Sequence, residues 1–151
     1  MIILFVLLSI LHLGVILLFP LERIGILFTK GLPIAFLIIT LFKSVGIGSH
    51  LKKFIFIGLL FSICGDYILS FPEYFVFGLA SFLIAHVFYI IAFSNGAKLA
   101  VEKSIPIYLI GGSLYFLLFP GLGDLKIPVL LYVITISTMV WRAFARNHSN
   151  K

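Results

Sequence analysis

Gly58-Leu-Leu-Phe-Ser-Ile-Cys-Gly-Asp66 places one carboxylate inside an apolar run, Phe54 to Phe71, that has no other charge. An acid is costly in lipid, and one retained there marks a functional site by default. Around it the chain is uniformly apolar. Of its 151 residues, 62% are hydrophobic and only 11% charged. Its mean hydropathy of +1.27 leaves too little polar surface to face water. These values describe an integral membrane protein and exclude a soluble domain.

A hydrocarbon core about 30 Å thick needs roughly 20 apolar residues per spanning helix. The sequence divides into six such stretches, near 2–19, 24–42, 54–71, 74–94, 105–119 and 127–145. The expected fold is therefore all-α, a polytopic transmembrane helix bundle forming a single domain over 1–151, without a soluble module. Pro20, Gly46 and Gly48, Pro72, Asn95-Gly96 and Pro120-Gly121 punctuate the stretches where charges also gather. With connections this short, neighbouring helices are expected to pack as antiparallel hairpins.

If the spans alternate, loops 43–53 and 95–104 share one side with both termini. That side carries Lys43, Lys52, Lys53, Lys98, Lys103, Arg142, Arg146 and Lys151, against Arg23 and Lys126 on the other. The excess of Lys and Arg lies in the cytoplasm, which orients both ends inward and supports an even number of spans. The multi-pass protein would sit in the plasma membrane, or the inner membrane of a bacterium. The net charge of +6 is then a matter of topology and of contact with anionic membrane lipids, not of nucleic-acid binding.

The first stretch has no basic leader and no small-residue cleavage pattern before Pro20, so it is read as retained. The lone Cys64 allows no intrachain disulfide, and no Cys/His spacing suits a metal; neither metal nor cofactor is expected.

Gly58, Ser62 and Asp66 recur every four residues, with Gly65 beside them, giving the third helix a small, polar side that should face protein. The fourth answers with Gly78, Phe82, His86, Tyr89 and Phe93, flanked by Ser81 and Ala85. A packing seam with one hydrogen-bonded histidine would read the same way. Depth is a further guide at about 1.5 Å per residue. From the non-cytoplasmic ends, Asp66 lies roughly 8 Å in, with Lys30 and Tyr132 at roughly 10 Å, so the three can share a layer. His86, roughly 18 Å in, should not touch Asp66 directly. Pro33 loosens the helix beside Lys30, whose other reading is an ion pair or a snorkelling cation.

Taken in order, Lys30-Gly-Leu-Pro33, Gly58 to Asp66, Phe77-Gly-Leu-Ala-Ser-Phe-Leu-Ile-Ala-His86-Val-Phe-Tyr89, and Pro128 to Met139 with Ala143 resemble the YhhN/TMEM86 family of lysoplasmalogenases. The resemblance covers nearly the whole chain. It implies a membrane hydrolase that cleaves the vinyl ether bond of lysoplasmalogens to a fatty aldehyde and glycerophospho-ethanolamine or -choline. Such a reaction protonates carbon, adds water and collapses a hemiacetal, so it needs a proton donor and a group that positions water. Asp66, His86 and Tyr89 are the candidate catalytic residues, with Lys30, Ser62 and Tyr132 as substrate-binding residues. Burial favours the neutral acid at Asp66, and the Lys30 ammonium opposes it. Lys30 can equally hold the lipid phosphate.

The family pattern continues for two further helices, where a second acidic motif lies, whereas this sequence ends at Asn147-His-Ser-Asn-Lys151. The expectation is a shortened hydrolase with Asp66 indispensable. The alternative is a non-catalytic or partner-dependent lipid-binding protein, completed by a second copy through the sixth helix. Residues 32–40 and 127–135 align with a lysine just upstream of each, which fits a parallel repeat. Glu22, Glu73 and Asp124 are read as solvated loop charges. His12 is read as a core or interfacial histidine, and Tyr108, Tyr115 and Trp141 as interfacial aromatics. A single deep acid without a charged row argues against a transporter.

Overall fold

The computed structural model describes residues 2–19 and 23–149; Pro20, Glu22 and Lys151 lie outside the described residues. Among these residues the chain is all-helical, with no strand. The helices are α1 (Ile2–Leu18), α2 (Arg23–Lys43), α3 (Ser49–Ile68), α4 (Phe75–Ser94), α5 (Ser104–Leu118) and α6 (Lys126–Ser149), with short 3-10 turns in the connections from α3 onward. Among the described residues, four segments are long and apolar enough to cross a membrane: Gly25–Lys43, Pro72–Ser94, Val101–Gly121 and Gly123–Arg146. The apolar part of α1 is shorter, and α3 carries Lys52, Lys53 and Asp66.

Helix bounds depart from the apolar runs where polar residues also favour helix. The third helix starts at Ser49 rather than Phe54 because Lys52 and Lys53 are good helix formers, and Lys52 Nζ donates to the Ser44 carbonyl. It stops at Ile68, leaving Ser70 and Phe71 to turn the chain into Pro72.

Residue pairs fix the helix directions. Gly58 faces Tyr89, Gly65 faces Phe82 and Gly78 faces Leu69, so α3 and α4 run antiparallel. Lys30 meets Asp66 and Phe42 meets Phe56, making α2 and α3 antiparallel as well. Against α6, His86 meets Tyr132 and Ser94 meets Arg142, so α4 and α6 are parallel. The resulting row is α1–α2–α3–α4–α6–α5. One hairpin expectation therefore fails: α5 packs against α6, which inserts between α4 and α5. Gly111 admits Ser137, while Tyr108 and the Thr138 hydroxyl hydrogen-bond at 2.6 Å, so α5 and α6 fit each other closely.

The α3–α4 seam is extensive and close because small residues bring the backbones together. Ser81 donates to the Phe61 carbonyl at 2.8 Å, and Ala85 and Ala92 are fully buried. A Cβ added at Gly65 would lie 2.7 Å from the Phe82 ring, whereas one at Gly112 would meet open space. Gly65→Leu is therefore expected to destabilise the protein by about 1–3 kcal/mol, the usual cost of overpacking, with Gly112→Leu near neutral. Thermal unfolding in detergent checks this; equal melting temperatures would contradict the seam.

The far end of the bundle is closed by α6. Buried Arg142 donates from Nε to Ser94 Oγ (2.9 Å) and from its terminal nitrogens to the carbonyls of Ser94, Ala97 and Lys98. Arg146 donates to the Asn95 carbonyl at 2.7 Å. Both cations thus satisfy carbonyls at or just beyond the negative end of α4. Trp141, read from sequence as an interfacial ring, donates to the carbonyl of Ala100, which sits in the left-handed region at φ 41°.

Candidate active site

Near the opposite end, α2 and α3 bring Lys30 and Asp66 together. Lys30 Nζ donates to the Asp66 carbonyl at 2.6 Å and to Ser70 Oγ at 3.3 Å, and Ser70 Oγ donates to the same carbonyl at 3.1 Å. The ammonium therefore sits at the negative end of the α3 dipole, where the carbonyls of the last turn lack helical partners. The Asp66 carboxylate is farther off, with Oδ1 3.8 Å from Nζ: an ion pair, too long for a hydrogen bond. This is the one ion pair among the described residues. Both side chains remain about a quarter exposed, so the carboxyl oxygens are open to a ligand or water.

Local sequence explains why the pair fits. Gly31 leaves room for Tyr67: a Cβ there would lie 2.8 Å from the Tyr67 hydroxyl. Pro33 lacks the N–H that would otherwise bond the Thr29 carbonyl, loosening α2 beside Lys30. The surface beside Ser70 is largely apolar. A cavity of about 320 Å³ is lined by Ile26, Leu27, Ser70, Phe71 and Pro72. A more open one of about 500 Å³ continues past Phe71 along Tyr67, Ile68, Tyr74 and Phe77.

The other candidates form a second cluster on the α4 side of α3. Ser62 Oγ and the Tyr89 hydroxyl are hydrogen-bonded at 3.0 Å. His86, buried, donates from Nδ1 to the Phe82 carbonyl at 2.5 Å, because a carbonyl can only accept. The Tyr132 ring lies edge-on to His86 with centroids 5.3 Å apart. No hydrogen bond joins Asp66 to His86, Tyr89 or Tyr132 among the described residues. The layer expected from depth thus unites Lys30 and Asp66, while Tyr132 goes with His86 because α6 packs on α4. The small stripe of α3 splits likewise. Gly58, Ser62 and Gly65 face α4, and Asp66 turns toward α2, since a four-residue step drifts about 40° around a helix.

Two tertiary hydrogen bonds escape sequence reasoning. Ser70 lies one turn beyond Asp66 and shares its face, a signal obscured by its place at the end of the span. His12 reads as isolated in the sequence, yet its Nδ1 lies 2.9 Å from the hydroxyl of buried Thr29, the neighbour of Lys30. Cys64 is exposed and unpaired, Glu73 and Asp124 are exposed, and Glu22 lies outside the described residues.

The profile of the YhhN family matches residues 25–151, a stretch that holds Lys30, Asp66, His86 and Tyr132. This chain belongs to the YhhN family. Among relatives of this YhhN protein, human Lysoplasmalogenase TMEM86A is 40% identical over 94 residues, covering 60% of this chain and 39% of that protein. Lysoplasmalogenase TMEM86B of Sus scrofa is 32% identical over 126 residues, covering 80% and 53%. The lysoplasmalogenase of Mycobacterium bovis is 33% identical over 103 residues, covering 61% and 40%. The YhhN chain thus spans 39% to 53% of the length of these three relatives. No solved structure matches it. Family and apolar helices together make it a membrane protein.

Proposed function

We propose that this protein is a membrane-embedded hydrolase that cleaves the vinyl ether bond of lysoplasmalogens. The observation that carries the reading is the Asp66 carboxylate, open to ligand and 3.8 Å from the Lys30 ammonium, in a chain similar to proteins named lysoplasmalogenase. In such a lipid the phosphate and the vinyl ether are only a glycerol unit apart. Lys30 holds the phosphate as a point charge, which brings the double bond to Asp66. The alkenyl chain leaves sideways along Phe71, Tyr74 and Phe77.

Asp66 in its acid form protonates the alkene carbon distal to oxygen, and the cation formed is shared with the ether oxygen. Water adds to that cation, and the hemiacetal collapses to aldehyde and alcohol. In this reading His86 and Tyr89, the latter bonded to Ser62, act from their own cluster on the α4 side of α3 by ordering water or substrate oxygens. Tyr132 joins that cluster from α6, edge-on to His86.

A six-span arrangement with both termini in the cytoplasm goes with this reading. Its support is the alternation of helix directions, with α4 parallel to α6, and the excess of Lys and Arg at one end. A second reading, lipid binding with activity only when another copy joins at α6, is favoured by the separation of the His86–Tyr132 cluster from Asp66. It differs in making turnover per chain rise with protein concentration.

The test is product analysis with three lysolipids that share a head group. Purified protein in detergent is expected to release aldehyde from the 1-alkenyl lipid and nothing from the 1-alkyl or 1-acyl lipids, because only a vinyl ether is activated by protonation at carbon. Fatty acid from the acyl lipid, or no aldehyde from the alkenyl lipid, would overturn the reading.

A further inference from the structure

At the end of the bundle away from Asp66, two grooves flank one ridge of α2. The first, a cavity of about 360 Å³ on the α1 side, is lined by Leu4, Phe36 and Ile39 together with Thr40, Lys43 and Ser44. The second, about 240 Å³ on the α3 side, lies among Leu37, Leu41, Ile55 and Leu59 and meets the same Thr40 and Ser44. Those two residues are one turn apart on α2 and belong to both walls, so they form the crest between the grooves. Their hydroxyls turn back onto the helix, to the carbonyls of Leu37 and Leu41, and offer neither groove a free hydrogen. The grooves are thus apolar, with the polarity gathered at one end.

Two ammonium groups stand at that end. Lys43 lines the first groove and makes no hydrogen bond, ion pair or ring contact among the described residues. Lys52 Nζ donates to the carbonyl of Ser44, the residue shared by both grooves, and uses one of its three N–H groups there. Lys43 is also the last residue of the apolar segment Gly25–Lys43, which puts it at the level where hydrocarbon gives way to head groups. No described acid answers these charges. Asp66 and Glu73 belong to the other end of α3, as Asp124 belongs to the other end of α5. Glu102 precedes α5, at the far side of the row α1–α2–α3–α4–α6–α5.

We propose that this end of α2 binds a diacyl phospholipid with a net negative head group, its phosphate on Lys43 and Lys52 and one acyl chain in each groove. Two grooves on either side of a single crest suit a lipid with two chains, whereas a single-chain lysolipid leaves one groove empty. The phosphate supplies the anion that the two ammonium groups lack, and cations at the edge of a span attract anionic lipid. A zwitterionic lipid brings its own cation beside the lysines, which weakens its hold. Lys43 lies 13 residues beyond Lys30 on the same helix, roughly 20 Å away, so this is a second lipid site and not an extension of the first. It stands independently of the hydrolase reading. A lipid seated there touches α1, α2 and α3 together.

Lipids titrated into the protein in a neutral detergent, with binding read by native mass spectrometry, test the site. Diacyl phosphatidylglycerol is expected to fill one saturable site at least about tenfold more tightly than diacyl phosphatidylcholine or lysophosphatidylglycerol. Lys43→Gln should weaken that binding about fivefold, and Lys43→Gln with Lys52→Gln about 25-fold, as befits lysines near an anionic surface. Lys103→Gln, a cation of the same end but on the α4–α5 connection, should leave it within about twofold. Ile39→Trp fills the first groove from a half-exposed position, so it should bring the diacyl lipid down to the level of the lysolipid without lowering the unfolding temperature of the lipid-free protein. Equal binding of the choline lipid or of the lysolipid, or equal losses in Lys103→Gln and Lys43→Gln, would overturn the proposal. Aldehyde release does not enter: a chain without hydrolase activity is expected to bind the lipid in the same way.

Discussion

Asp66→Asn is expected to lower aldehyde release from a lysoplasmalogen at least about 1000-fold while the protein keeps its fold. A positioned general acid contributes on the order of 100- to 10000-fold, and protonation at carbon is the difficult step here, so the upper part of that range applies. The fold survives because of how Lys30 is bound. Its short bond is to the Asp66 main-chain carbonyl at 2.6 Å, with a second to Ser70, and neither depends on the carboxylate. The substitution removes only the side-chain ion pair at 3.8 Å, whose partial exposure keeps its worth to about 1 kcal/mol. Unfolding temperature and gel-filtration profile, read beside product release, separate the two effects. Residual activity within tenfold of the parent would remove Asp66 from the acid role.

Lys30→Met should fall next, by about 100- to 1000-fold in kcat/KM. A charge-assisted bond to phosphate contributes about 1.5–3 kcal/mol, or roughly 10- to 160-fold, and the same ammonium also faces the Asp66 carboxyl. Most of the loss should appear as a raised KM, since the phosphate is held alike in ground and transition states. A lysolipid lacking phosphate, such as a 1-alkenyl glycerol, should discriminate the parent from the variant far less. If Lys30→Met instead leaves KM unchanged and lowers kcat alone, the lysine acts on Asp66 rather than on the lipid.

Much of this geometry is legible in the sequence where spacing alone decides it. The recurrence of Gly58, Ser62 and Asp66, with Gly65 beside them, describes the α3–α4 seam for the three small residues, but the same spacing assigns Asp66 to a face from which the helical drift turns it toward α2. Counting rise per residue pairs Lys30 with Asp66. Depth says nothing about which helices are neighbours, however, and Tyr132 shows the difference. Its height agrees with Asp66, yet α6 packs on α4 and carries the ring to His86. The insertion of α6 between α4 and α5 has no local signature. It depends on long-range bonds such as those of Arg142 to the α4–α5 connection. His12 reads as a core or interfacial histidine because a single histidine carries no pattern of its own. Only the tertiary bond to Thr29 gives it an orientation.

The central claim, protonation of a vinyl ether carbon at the Asp66 site, is tested most directly by turning over a lysoplasmalogen in D₂O and reducing the aldehyde as it forms. The account expects an alcohol carrying a single deuterium on the carbon adjacent to the former carbonyl, together with a slower rate than in H₂O. Aldehyde without deuterium at that carbon, or deuterated product formed equally fast by Asp66→Asn, would contradict it.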